Sequence, residues 1–152
     1  MAILPYYKEA LSNLKVHYSS GKPAPHKAIL LLAISDLIEF GVISKNEIGM
    51  TEALKVAFEE RWHKHVPKDS QYKSTVWTPY WHMGYEEFWH FVPLDGVSEA
   101  TIADLAAGHT ASIGKIKSHI KYSRLDEDLF ELFLNKESRC KLRELLVNTW
   151  LG

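Results

Sequence analysis

Hydrophobic positions are spread unevenly along this chain. From Ala28 to Phe40 the run AILLLAISDLIEF has almost no polar relief, whereas the flanking segments alternate or break. A helix apolar nearly all round is a buried core helix, and only its ends reach water. Pro25 suits its first turn and Gly41 its end, so the spacing predicts a helix over 26–40. Ahead of it, Tyr7, Leu11, Leu14 and Tyr18 mark one face of a helix over 3–18, and SSGKPAP forms a loop. After it, VISKNEIG is a turn and a short extended piece. Thr51 is a candidate N-cap for a helix from Glu52 to His63. VPKDSQYKST reads as a polar loop.

The segments VWTPYWHM and EFWHFVPL are rich in strand-favouring residues and flank Gly84-Tyr85-Glu86, which predicts a β-hairpin with Pro79 near an edge. Ser98 opens a short helix over 98–105, residues 108–124 read as irregular to helical, and 125–133 with 138–151 form a closing pair of helices. The expected fold is mainly α with a small β-hairpin. Helix, short strand, helix, hairpin over 26–93 is the order of a winged-helix-like core, here braced by N- and C-terminal helices.

Length and composition add bounds. The 152 residues suit a single domain, 1–152, able to bury a core without staples. At 46% hydrophobic and 24% charged, the chain reads as ordinary soluble globular. The net charge of −1 gives no gross nucleic-acid signal. Its distribution is uneven: GKIKSHIKYSR holds Lys115, Lys117, Lys121 and Arg124 with no acid, while residues 86–104 hold five acids and no Lys or Arg. Cys140, in a helix with apolar neighbours, is the only cysteine, which excludes an intramolecular disulfide and a Cys-rich metal site. A reducing cytoplasm is the simplest setting. No basic-then-apolar leader opens the chain, and the apolar run is far short of a membrane span.

Chemistry concentrates at the start of the 26–40 helix. A helix N-terminus offers free N–H groups and a partial positive charge, and His26 and Lys27 add donors there, which suits an anionic oxygen and above all a phosphate. The alternative is a solubilising lysine beside a turn-capping histidine. In the loop before the aromatic segments, Lys64, Lys68, Ser70, Gln71, Lys73 and Ser74 supply donors and acceptors that a DNA groove could accept, or form an ordinary solvated loop. Trp62, Trp77, Trp81 and Trp89 could stack on bases, although core packing is the commoner use.

The succession GKPAPHKAILLLAISDLIEFG, TPYWHM, EFWHF and LDEDLFELFLNKESRCKLRELL resembles the sulfur-binding domain of McrA-type HNH restriction endonucleases, over roughly residues 20–151. That resemblance implies recognition of double-stranded DNA carrying phosphorothioate linkages, with no cofactor, as the reading module of a modification-dependent restriction system. It implies phosphate contacts by His26 and Lys27 and a sulfur pocket at Thr78, Pro79, Tyr80, Trp81 and His82. The family motif there is Tyr-Pro-aromatic-aromatic-small, so Thr78 and His82 depart from it. The family also closes its pocket with an Arg stem. No Arg lies between Trp62 and Ile120, which leaves His109, Ser112 or Lys115 as the residues of that region, with Lys117 a further candidate DNA contact.

Enzymatic readings find less support. His63 and His65 lie two apart, but no Cys accompanies them and Asp69 is the nearest downstream carboxylate. There is no HNH motif, no carboxylate pair with a following lysine, no Gly-rich phosphate loop and no HExxH. The expectation is a binding module without catalytic machinery, served by a nuclease domain or subunit, and either an excised domain or a small stand-alone reader. The competing classes are a small DNA-cleaving hydrolase and a DNA- or protein-binding module indifferent to sulfur.

Overall fold

The computed structural model describes residues 3–107 and 112–151. In chain order the elements are α1 (Ile3–Ser12), β1 (Tyr18–Ser19), β2 (Lys22–Pro23), α2 (His26–Glu39), α3 (Glu52–His65), α4 (Trp77–His82), β3 (Trp89–Pro93), α5 (Glu99–Ala107), α6 (Ile113–His119), β4 (Ile120–Leu125), α7 (Glu127–Leu134) and α8 (Lys136–Leu146). A wide helical turn, Val147–Leu151, follows α8. The fold is mainly α with two small antiparallel pairs of strands, β1 with β2 and β3 with β4.

α2 is the axis of the core. Residues Ala28 to Ile34 are essentially inaccessible, and α3, α4, α7 and α8 surround them. The helix stops where its sequence demands. Gly41 takes φ +78°, its N–H donates to Ile38 O, and Val42 N–H donates to Leu37 O, the pairing of a Schellman motif. α3 starts at Thr51, whose hydroxyl accepts Leu54 N–H at 3.1 Å. Polar cross-links sit at the edge of the core. Asp36 receives Arg61 through two bonds of 2.6 Å and Arg143 at 2.9 Å, while Arg143 also reaches Ser35 and Glu39. Tyr7 donates to Asp126 at 2.7 Å and Trp150 to Leu11 O at 2.8 Å, which fastens α1 to the C-terminal helices.

Ile48, in the extended piece after α2, exchanges two backbone hydrogen bonds with Ser123 of β4. β4 pairs on its other side with β3, Trp89 opposite Leu125 and Phe91 opposite Ser123. The strands therefore lie in the order Ile48 piece, β4, β3. This is winged-helix order, with α5 and α6 inserted between the last two strands.

Two expectations need correction. The predicted hairpin does not form, because Trp77–His82 is helical and β3 takes its partner from 120–125, within the stretch read as irregular to helical. Val76, Tyr80 and Met83 are buried, at spacings of four and three that suit a helix. Pro79 is tolerated because it lies in the first turn, where N–H groups have no intrahelical partner. The first helix ends at Ser12 instead of 18, since Ser20 and Gly21, both at positive φ, make a two-residue turn joining β1 to β2. Cys140 is helical, as expected, and exposed on α8. The closing helices occupy 127–134 and 136–146, close to expectation. Among the described residues no helix is long and apolar enough to cross a membrane.

Candidate functional site

The start of α2 and one face of α4 border the same groove, of about 570 Å³. His26 and Lys27 form one wall, Thr78, Pro79 and His82 a second, and Lys15, Val16 and His17, from the stretch after α1, a third. Ala24, Tyr72 and Tyr85 complete the lining. Fifty residues of chain separate the two segments singled out in the sequence, and packing of α4 on α2 joins them. The five-residue segment 78–82 divides between two faces. Thr78, Pro79 and His82 line the groove. Tyr80 instead enters the core, donating its hydroxyl to Ile48 O at 2.6 Å and accepting from Ser123 Oγ at 2.9 Å, and burial pushes its pKa well above the ordinary value. Trp81 stacks on Phe91 at 5.2 Å and borders a different cleft with Ile102 and Arg124.

Lys27 does not stand free in water. Its ammonium is 2.7 Å from Glu86 Oε2, and both side chains are almost wholly enclosed, at 7% and 6% exposure. Burial pushes the ammonium below its ordinary pKa, and the adjacent carboxylate opposes that shift. Glu86 Oε2 also accepts Lys15 N–H at 2.8 Å, so one carboxylate joins α2 to the groove's third wall. Lys15 itself is exposed, its ammonium donating to Tyr85 O at 3.1 Å.

His26 Nε2 lies 2.8 Å from Lys73 O. A carbonyl only accepts, so Nε2 carries the proton, and the other ring nitrogen donates only when the imidazole is charged. Burial lowers the His26 pKa most, the Lys73 carbonyl partly offsets this, and His82 lowers it further. The ring packs 4.7 Å from Trp62 and edge-on to Tyr72 at 5.6 Å. The N-cap Pro25 provides no side-chain hydrogen bond, so among the described residues no side-chain cap closes the first turn of α2.

The remaining candidates are dispersed. Lys64, Lys68, Gln71 and Lys73 are exposed on the end of α3 and the loop beside the groove. Ser70 Oγ accepts Tyr72 N–H, and buried Ser74 Oγ has no hydrogen-bond partner among the described residues. Ser112 is committed as the N-cap of α6, accepting Lys115 N–H at 3.1 Å. Lys115 and Lys117 lie on α6, which packs on α4. His109 lies outside the described residues. Trp62, Trp81 and Trp89 are core residues, leaving only Trp77 half-buried. His65 accepts from Arg61 at 3.3 Å, and among the described residues no three His, Cys, Asp or Glu side chains gather to hold a metal ion.

Sequence reasoning missed Lys15, Val16, His17, Tyr72, Tyr85 and Glu86. Nothing local marks them, because each enters the site through contacts with distant segments. No family model matches the chain, and no curated protein matches it.

Proposed function

We propose that this chain binds double-stranded DNA at a phosphorothioate linkage, seating the modified phosphate in the groove between α2 and α4. The observation that carries the reading is the meeting of anion-binding and apolar elements at one place. The uncapped N-terminus of α2 and the exposed Lys15 favour negative charge. The ring of Pro79, with Val16 and Ala24, offers carbon and no N–H from the proline.

Sulfur in place of a non-bridging oxygen keeps the negative charge but is larger and less strongly hydrated. Against Pro79 an oxygen would lose hydrogen bonds to water and gain none, at a cost on the order of 1–3 kcal/mol. That is about ten- to a hundredfold in affinity. Only one of the two non-bridging positions can face the proline, so one stereoisomer is preferred. Since Lys27 shares its charge with Glu86, the long-range cation of the groove is Lys15, and Lys27 serves to fix the wall. Exposed Lys68 and Lys73 of the 66–75 loop and exposed Lys117 of α6, with half-buried Lys115, extend the contact along the duplex. The chain acts as a reader in a reducing cytoplasm, and a nuclease domain or subunit supplies cleavage.

The test is a set of titrations on matched duplexes, unmodified and carrying one phosphorothioate of each stereochemistry. The preferred isomer should bind at least about tenfold tighter than unmodified DNA. Lys15→Ala should weaken all duplexes alike and reduce the salt slope by about one. Equal affinity for modified and unmodified DNA would leave a DNA-binding module indifferent to sulfur, and metal-dependent cutting abolished by a point substitution in the purified chain would make it a hydrolase.

A further inference from the structure

At the other end of α2 a second groove, of about 370 Å³, runs between the last turn of that helix and α3. Its floor is Leu37, Ala53 and Ala57, and its walls are Phe40 and Val56. Phe40 is 74% exposed and Val56 48%, and Val42, two residues beyond Phe40, is 59% exposed. Exposed apolar side chains scattered singly mean little, but a groove built from them marks a contact surface. Its rim is charged with one sign. Asp36, Glu52 and Glu60 border it and no Lys or Arg does. Asp36 is neutralised by Arg61 and Arg143, whereas exposed Glu52 and Glu60 have no ion-pair partner among the described residues.

We infer that this groove receives a basic amphipathic helix of a protein partner. Glu52, Val56 and Glu60 are four residues apart along one face of α3, which places the two glutamates about 12 Å apart along the helix axis with the valine midway. A helix lying along this face satisfies it with a leucine or isoleucine flanked, four residues away on either side, by lysine or arginine. The aliphatic side chain enters the space that Ala53 and Ala57 leave between Phe40 and Val56, and the cations meet Glu52 and Glu60. The site lies about 20 Å along α2 from the groove at His26 and Lys27, so both can be filled together. This inference does not depend on what that groove binds.

The probe is a designed alanine-based helical peptide carrying the Lys-x-x-x-Leu-x-x-x-Lys stripe, with a charge-reversed peptide bearing Glu for Lys as its counterpart, titrated by fluorescence anisotropy at low salt. The lysine peptide should bind the parent protein and the glutamate peptide should not. Phe40→Ser and Val56→Ser, both at exposed positions, should each weaken the complex about tenfold or more. The pair Glu52→Lys with Glu60→Lys should exchange the preference between the two peptides, with circular dichroism confirming the fold. Undetectable binding of the lysine peptide, equal binding of both peptides, or affinity unchanged in the Phe40 and Val56 variants would overturn the inference. So would concentration-dependent self-association that Phe40→Ser removes, since the occupant would then be a second copy of the chain.

Discussion

Removing Glu86 tests the groove's construction most directly. In Glu86→Ala the Lys27 ammonium remains in a site where its side chain is 7% exposed, and Lys15 N–H loses its acceptor. Breaking a buried pair by deleting one partner costs about 3–5 kcal/mol, because the remaining charge stays uncompensated. A chain of this size loses roughly 2–4 °C of Tm per kcal/mol, so the midpoint should fall by about 6–20 °C. The sign of the pH dependence follows from burial, which already pushes the Lys27 pKa down. Without Glu86 that shift deepens, and the folded state binds fewer protons than the unfolded one between the two pKa values. The deficit should therefore shrink as pH rises from 7 toward the ordinary lysine range. Urea denaturation followed by tryptophan fluorescence, at pH 7 and pH 9.5, measures both effects. The double substitution Lys27→Met with Glu86→Gln removes both charges and keeps a carbonyl for Lys15 N–H, so it should recover at least about 2 kcal/mol relative to Glu86→Ala. A Glu86→Ala protein within about 1 kcal/mol of the parent at pH 7 would refute this account of the wall.

Three further outcomes are expected. Pro79→Ala, which keeps α4 helical but removes the ring from the groove, should lower the preference for phosphorothioate DNA toward one with Tm changed by only a few degrees; a full preference in a folded variant would remove Pro79 from the pocket. Burial lowers the pKa of His26 and, less deeply buried, of His65, so the folded state binds fewer protons below pH 6.5 and stability should fall on acidification, with His26 the larger contributor; a His26→Gln, His65→Gln protein should lose most of that slope in urea midpoints taken at pH 7 and 5.5. DNA affinity should move the other way, strengthening as His26 gains the proton that lets its second nitrogen donate. Tyr80→Phe, which takes from Ile48 O one of its two donors and leaves Ser123 Oγ without its acceptor, should cost about 1–3 kcal/mol while leaving DNA affinity unchanged at temperatures where the protein is folded; loss of binding without loss of stability would return Tyr80 to the pocket.

The periodicity of the chain determined α2 almost to the residue. A run so apolar has no stable exposed arrangement, and Pro25 and Gly41 punctuate it with their own backbone geometry. Thr51 likewise determined the start of α3, because a cap acts on N–H groups within its own turn. His26 and Lys27 read as donors at a helix start for the same local reason, whereas Pro79 read locally as a strand-edge residue and entered the pocket only through the family resemblance. The state of residues 77–82 was not. Their aromatic and β-branched side chains favour a strand in isolation, but a strand would turn Thr78, Tyr80 and His82 to one face. Tertiary structure decided for the helix, because it alone buries Val76, Tyr80 and Met83 in the core while sending Thr78 and His82 to the groove. The pairing of β3 with β4, thirty residues on, was also beyond local reading, since strand partners are chosen by the surface both can cover. The charge of the site was decided in the same way. Lys27 reads as a free cation in the sequence and becomes half of a buried pair only because the fold brings Glu86 to within 2.7 Å of it.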